Sequence, residues 1–236
     1  MPVITLSGGS ASGVREIAQR AATELKLDYV DQEILVEAAS QLGVPVAAME
    51  RRDERPSSIG ERLASVMRTL MERSAAAGTS DPLGGGALEM VLARSYGEAA
   101  DLPSAGGQGQ LDDERYLKTL VSVIKGIASR GNVAILGRGS QAILQQEPET
   151  LHVSIVAPVK MRAETLAARE SIGLQEAERR IKQWDESRRA FYRRYFKVEV
   201  DNPCLYDLVI RAGSIRDDLA VKLIATAVRD RTPRPG

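Results

Sequence analysis

The residues with the clearest chemical potential form a glycine-rich segment near the N-terminus, from Gly8 to Gly13. The segment stands directly between an apolar, β-branched run and a stretch with helical periodicity. Small residues allow the backbone to curl until several N–H groups face one phosphate, and the following helix adds a partial positive charge. The pattern therefore predicts a loop that binds a nucleoside triphosphate. Its candidate residues are Gly8, Gly9, Ser10, Ala11, Ser12, Gly13, Val14 and Arg15.

This loop departs from the usual phosphate-loop pattern, which continues with Lys and then Ser or Thr. Val14 and Arg15 occupy those two places. Arg15 carries a permanently charged guanidinium group, which makes it the candidate to replace the lysine. Ser10 and Ser12 are the candidates to replace the hydroxyl that normally coordinates magnesium. The alternative is a glycine-rich turn without a ligand, because such turns recur in α/β folds.

Short strands and helices alternate around this loop. Apolar runs predict five strands, at Pro2–Leu6, Leu27–Val30, Asn132–Leu136, His152–Val156 and Asp207–Ile210. Apolar residues at helical spacing predict helices at Val14–Lys26, Gln32–Leu42, Asp112–Arg130, Pro158–Glu170, Gly173–Phe196 and Asp217–Val228. The alternation predicts a three-layer α/β fold, a five-stranded parallel sheet with helices on both faces. Because such sheets bind ligands at the C-terminal ends of their strands, the loops after Leu6, Leu136 and Val156 should converge on one site.

The chain is predicted to form a single domain over residues 1–236, with an insertion at residues 53–111. The insertion contains one predicted helix, Ser58–Ala76, among segments rich in Gly, Ala and Ser, a composition typical of flexible loops. We interpret it as an acceptor-binding or lid region. Residues 231–236 are predicted to be a tail.

Composition excludes several classes of function. Thirty-two basic residues balance thirty-two acidic ones, so no global field attracts nucleic acid or an anionic membrane. One cysteine, Cys204, and one histidine, His152, are too few for an internal disulfide or a zinc site, and we expect both residues to serve in packing. No apolar run is long enough to span a membrane. The N-terminal segment does not resemble a signal peptide, so we expect a cytoplasmic protein.

Several segments together resemble the cytidylate kinase-like family, relatives of bacterial cytidylate kinase among the P-loop nucleoside monophosphate kinases. They occur in the family's order, at Ile4–Ala18, Asp28–Ile34, Asn132–Gly139, Ala157–Arg162 and Asp185–Tyr192. The resemblance covers about residues 3–45 and 112–228. It implies a P-loop kinase fold and transfer of a phosphoryl group from ATP, with Mg²⁺ as cofactor, to CMP, dCMP or a related acceptor.

The resemblance also implies roles for individual residues. Arg138, between two glycines at a strand end, is expected to act in catalysis and to contact the acceptor phosphate. Asp31 is expected to contact the acceptor, and it is equally suited to cap the next helix. In the lid helix region, residues 173–200, the candidate catalytic residues are Asp185, Arg188 and Arg189. The remaining lid candidates are Arg162 and Arg193.

Three positions differ from the family pattern and keep other functions open. Val14 replaces the loop lysine, Gly139 stands where bacterial cytidylate kinase has Asp, and Glu37 stands where an arginine is expected. A catalytically weakened nucleotide-binding regulator is therefore an alternative, as is phosphotransfer to a small metabolite. A third is a nucleic-acid-binding module built on Arg188–Lys197, with Tyr192, Tyr195 and Phe196 as stacking platforms; the neutral net charge disfavours it. The acceptor and the oligomeric state are left open.

Overall fold

The computed structural model describes residues 1–31, 33–43 and 113–230. The predicted insertion at 53–111, its helix Ser58–Ala76 and the tail at 231–236 lie outside the described residues. The domain organisation therefore stays a prediction.

Five parallel strands form one sheet, with the order β2-β3-β1-β4-β5. They are β1 (Val3–Gly8), β2 (Asp28–Val30), β3 (Val133–Leu136), β4 (Thr150–Val156) and β5 (Leu208–Arg211). The predicted five-stranded parallel sheet is confirmed. β1 runs two residues further than predicted, because Ser7 and Gly8 pair with Ser154 and Ile155 of β4.

All six helices predicted within the described residues are present, with ends shifted by one or two residues. Together with one short additional helix they are α1 (Val14–Leu25), α2 (Glu33–Leu42), α3 (Asp113–Ser129), α4 (Ser140–Ile143), α5 (Val159–Glu170), α6 (Leu174–Phe196) and α7 (Asp217–Asp230). The sequence did not predict α4 or the 3₁₀ turn Pro203–Leu205, because four or three residues are too few to show a helical period. No helix in the described part of the chain is long and apolar enough to cross a membrane.

Helices cover both faces of the sheet. On one face, α1 and α7 pack against alternate residues of the strands, such as Ile4 and Leu6 of β1. On the other face, α4 lies beside β1 and brings the buried Gln141 against Ser7. α2 packs on α3, and α5 packs on α6 through a small cluster that includes Leu166 and Ile181. The result is the three-layer arrangement expected from the sequence.

The register of the sheet brings the functional loops to one edge. Leu6 pairs with Leu136 of β3 and with Val153 of β4, so the three strands end at the same edge, within three residues of one another. The N–H of Gly137 donates to the carbonyl of Leu6 at 2.9 Å, which ties the loop after β3 to the end of β1. The chain leaves β1 towards β2 on one side of the sheet and leaves the adjacent β4 towards β5 on the other, and open α/β sheets bind ligands where neighbouring strands diverge in this way. The predicted convergence of these loops is confirmed.

Gly139 gives a test of this packing. Its φ is 74°, and a Cβ at this position would overlap the ring of Phe196 at the end of α6. We expect Gly139→Ala to lower the free energy of unfolding by about 2–4 kcal/mol, from left-handed strain and overpacking together. Urea denaturation measures the change.

Gly126 is the matched control, because it is exposed within α3 and a Cβ there would meet nothing within 4 Å. Gly126→Ala should raise the free energy of unfolding by about 0.5–1 kcal/mol, the usual effect in a helix. Equal effects of the two substitutions would contradict the close packing of Phe196 on Gly139.

Candidate functional site

The glycine-rich segment forms a tight loop between β1 and α1. Ala11 and Gly13 adopt left-handed conformations, with φ of 59° and 81°, and the N–H of Ser12 donates to the carbonyl of Gly9 at 3.2 Å. A Cβ at position 8 would lie 2.8 Å from both the Ile155 carbonyl and Ser12 Oγ, so Gly8 has no room for a side chain. The loop thus has the curled backbone that phosphate binding requires. Binding by residues 8–15 stays a prediction.

An arginine from α5 lies against this loop. Arg162 is 4% exposed, and a Cβ at Gly9 would overlap its guanidinium group. Its two terminal nitrogens donate to the two carboxylate oxygens of Asp185 on α6, with 2.9 Å between Nη1 and Oδ1. Nη1 also lies 3.4 Å from the Ser10 carbonyl oxygen. The fixed cation on the loop backbone is therefore Arg162, which the sequence placed only among the lid residues.

Arg15 has a different partner from the one its place in the loop suggests. Its Nη2 lies 2.6 Å from the buried carboxylate of Asp31, just after β2. Arg138, just after β3, brings its own Nη2 to 3.7 Å from the other oxygen of Asp31. Two arginines thus approach the two oxygens of one carboxylate. The three predicted site residues are brought together on the β2–β3 side of β1.

Arg138 has an unusual backbone as well as a buried side chain. Gly137, Arg138 and Gly139 are all left-handed, with φ of 71°, 61° and 74°. This conformation costs a residue with a side chain about 1–2 kcal/mol. Non-glycine residues in such conformations concentrate at functional sites.

A cleft of about 240 Å³ lies on the opposite side of β1, between the ends of β4 and β5 and helix α6. Gly8 and Gly9 form one end of it. The charged residues of its wall are Arg162, Asp185, Arg188, Arg189 and Asp201. Three of these five side chains are arginines. The cleft therefore joins the glycine loop to a cationic wall.

Arg188 and Arg189 share Asp201, which follows α6 in the chain. Arg189 Nε donates to Asp201 at 2.8 Å, and this hydrogen bond raises the pKa of Arg189. Arg188 Nη1 lies 3.8 Å from the same carboxylate, while its Nη2 donates to Ser7 Oγ at 2.7 Å. Arg188 is the more buried of the pair, since 13% of its side chain is exposed against 42% for Arg189.

The cleft also has an apolar wall. Val156, Val159 and Val209 line it, and each is more than a third exposed. Exposed β-branched side chains beside fixed cations suit a ligand that combines an anionic group with an apolar ring.

The end of α6 does not form a stacking surface. Tyr192 is fully buried, Tyr195 packs on Tyr116 with ring centres 5.3 Å apart, and Phe196 packs on Phe191 at 5.7 Å. Arg193 is exposed and pairs with Glu199 at 2.9 Å, so it lies apart from the cleft residues. The nucleic-acid-binding alternative has no support here, since its proposed platforms are used in packing.

Of the two residues expected to serve in packing, His152 is buried and Cys204 is exposed. His152 is fully buried, as expected, and its Nδ1 lies 2.6 Å from Thr5 Oγ1. Cys204 is exposed, so that expectation is wrong. The residue lies on the 3₁₀ turn Pro203–Leu205, where its N–H donates to the side chain of Asn202 and Leu205 is the buried member.

Sequence analysis did not identify Gln141, which the structure places beside Ser7 at the end of β1. It is fully buried on α4, and its amide contacts Tyr192 Oη at 2.7 Å. A single polar residue after a strand carries no periodic signal. Its proximity to Ser7, at the end of β1, could be found only from the fold.

The described residues do not form a protein-held magnesium site. No group of three or more His, Cys, Asp or Glu side chains is placed to hold a metal within this part of the chain. Asp185 is engaged by Arg162 through both oxygens. Ser12 Oγ is buried beside Gly8 and has no hydrogen-bond partner among the described residues, so it is the one hydroxyl of the loop that stands ready to accept a ligand. Mg²⁺ is normally bound through one or two carboxylates together with substrate phosphates, so it does not require a cluster of three.

Comparisons with known proteins agree with this geometry. Cytidylate kinases of Methanopyrus kandleri and Pyrococcus horikoshii are 29% and 26% identical to the chain over 109 and 106 residues. These alignments cover 43% and 45% of this chain, and they span about half the length of the relatives, 56% and 54%. A crystal structure of an uncharacterized protein from Eubacterium ventriosum has the same fold, with a TM-score of 0.61 at 14% identity over 98% of this chain and all of that one.

The sequence model of the cytidylate kinase-like family matches residues 3–214, nearly the whole chain. The matched range includes the glycine loop, the Gly137–Gly139 turn and the whole of α6. The resemblance noted in the sequence is thereby confirmed, and the sheet has the strand order and layers of a P-loop kinase. The chain belongs to the cytidylate kinase-like family.

Proposed function

We propose that this chain is a nucleoside monophosphate kinase, which transfers the γ-phosphoryl group of ATP to CMP, dCMP or a related acceptor. The observation that carries the proposal is the pair of cationic clusters flanking the glycine loop. Arg15 and Arg138 share Asp31 on one side of β1, and Arg188 and Arg189 share Asp201 on the other. A kinase of this kind must hold two phosphate groups close together, and each cluster supplies two guanidinium groups for one of them.

The chemistry needs little more than such positioning. An oxygen of the acceptor phosphate forms a bond to the γ-phosphorus, the bond from that phosphorus to the β–γ bridging oxygen breaks, and ADP leaves. Catalysis comes from alignment and from neutralising the charge of the transferred group. Fixed guanidinium groups supply that neutralisation without reorganising during the reaction.

Each part of the site has a role in this proposal. Residues 8–14 hold the donor phosphates, with Arg162 on the loop, and the valine wall of the cleft receives the donor base. Arg188 and Arg189 contact the transferred group, and Asp185 orients Arg162.

On the other side of β1, Arg138 and Asp31 bind the acceptor. Mg²⁺ would be bound as its complex with ATP, with Ser12 Oγ as the candidate ligand from the loop, and would neutralise charge on the phosphates.

A coupled assay of ADP release tests the function directly. With Mg²⁺ and ATP, we expect turnover with CMP or dCMP to exceed that with UMP, AMP or GMP by about tenfold or more, the discrimination that hydrogen-bonded base recognition gives. Binding of ATP without turnover on any of the five acceptors would instead identify a nucleotide-binding regulator.

Arg138→Ala tests the acceptor side. We expect kcat to fall by about 100-fold or more with little change in ATP affinity, as when a charge-stabilising group is removed. Arg130→Ala, at an exposed arginine just after α3, is the control and should leave kcat unchanged. Unchanged turnover in Arg138→Ala would place the acceptor elsewhere.

Arg162→Ala and Arg15→Ala together identify the cation that replaces the loop lysine. Because Arg162 lies on the loop and Arg15 on Asp31, we expect ATP affinity to fall by about tenfold in the first and by less than about threefold in the second, given 1.5–3 kcal/mol for a charged hydrogen bond. Isothermal titration calorimetry measures both. The reverse order would restore the role that the sequence assigns to Arg15.

A further inference from the structure

A buried glutamine connects the glycine loop with helix α6. The two polar atoms of the Gln141 amide lie 2.7 Å and 3.1 Å from Tyr192 Oη. Its Nε2 also donates to Tyr206 Oη at 3.3 Å and lies 3.4 Å from Ser7 Oγ. Tyr206 in turn donates to the carbonyl of Val200 at 2.8 Å, just after α6. One amide thus contacts groups from β1, α6 and the segment before β5.

Arg188 contacts two of the residues that Gln141 contacts, Tyr192 and Ser7. It lies one helical turn before Tyr192, and its guanidinium carbon is 5.4 Å from the centre of the Tyr192 ring. Its Nη2 donates to Ser7 Oγ at 2.7 Å, and the side chain lines the cleft together with Gly8 and Gly9. Gln141 therefore contacts both Tyr192, whose ring lies against the Arg188 guanidinium group, and the Ser7 hydroxyl, which accepts a hydrogen bond from Arg188.

The chemistry of an amide explains its place here. An arginine side chain has many rotamers, so a cation that must meet a phosphate in one geometry gains from a fixed support. A ring gives such support only if its own position is fixed, and the buried Tyr192 hydroxyl needs hydrogen-bond partners. Glutamine offers a donor and an acceptor to that hydroxyl, whereas Leu or Met would fill the space and hold nothing.

We propose that Gln141 is a positioning residue, which acts through Tyr192 and Ser7 to hold Arg188 in the orientation that receives the transferred phosphoryl group. This inference rests on the proposed kinase function. It assigns to Gln141 no contact with substrate: its effect on the reaction passes entirely through Arg188.

A double-mutant cycle tests that statement. Gln141→Met keeps the length and volume of the side chain and removes the amide. We expect kcat to fall by about tenfold while KM for ATP and for CMP changes by less than about threefold, as when an interaction made only in the transition state is lost. In an Arg188→Ala background the same change should alter kcat by less than about twofold, because the group it positions is gone.

Two further variants complete the design. Tyr192→Phe removes only the hydroxyl and should reproduce the loss in kcat, with no additional loss in combination with Gln141→Met. Gln146→Met, at an exposed position after α4, should leave kcat unchanged. Thermal unfolding of every variant is followed in parallel, and Tyr192→Phe decides the test if Gln141→Met does not fold.

The outcomes separate this inference from the proposed function. Independent, multiplying effects of Gln141→Met and Arg188→Ala on kcat would overturn it, as would a lower Tm with unchanged kcat. If the wild-type protein shows no turnover, the kinase proposal fails. The positioning role, which rests on that function, then fails with it, whereas turnover in the wild type with additive effects of the two substitutions overturns the positioning role alone.

Discussion

The arginines around the glycine loop impose the main constraint on this structure, because a guanidinium group keeps its charge at any pH the protein meets. Such a group is costly to bury without a partner. Asp31, Asp185 and Asp201 provide the partners, and they come from the end of β2, from α6 and from the segment after α6. The sheet order and the course of α6 are what bring these carboxylates to the edge where β1 ends.

Features that depend on local sequence were predictable. Runs of β-branched residues gave the five strands, and helical spacing gave the helices that cover them. The glycine spacing placed the loop correctly between β1 and α1, since small residues are needed wherever a backbone turns this tightly. The convergence of Asp31 and Arg138 also followed, because each stands at the carboxyl end of a parallel strand.

Features that depend on the partners of long side chains were not predictable. Arg15 stands in the loop sequence, yet its side chain reaches the end of β2, and Arg162, distant in sequence, lies on the loop instead. Likewise, the absence of a side chain at Gly139 reads as a lost carboxylate in the sequence, whereas the structure shows the ring of Phe196 in that space. These contacts form between elements that are far apart in the chain, so the spacing of residues within one segment does not predict them.

The left-handed Arg138 has a consequence for how the protein changes over evolution. Glycine or asparagine would adopt this backbone more readily, so drift toward greater thermodynamic stability would remove the arginine first. Under the role proposed for Arg138, its charge is the reason to keep an arginine in a turn that glycine would form with less strain. Thermodynamic stability and the proposed activity therefore place opposite demands on this one position.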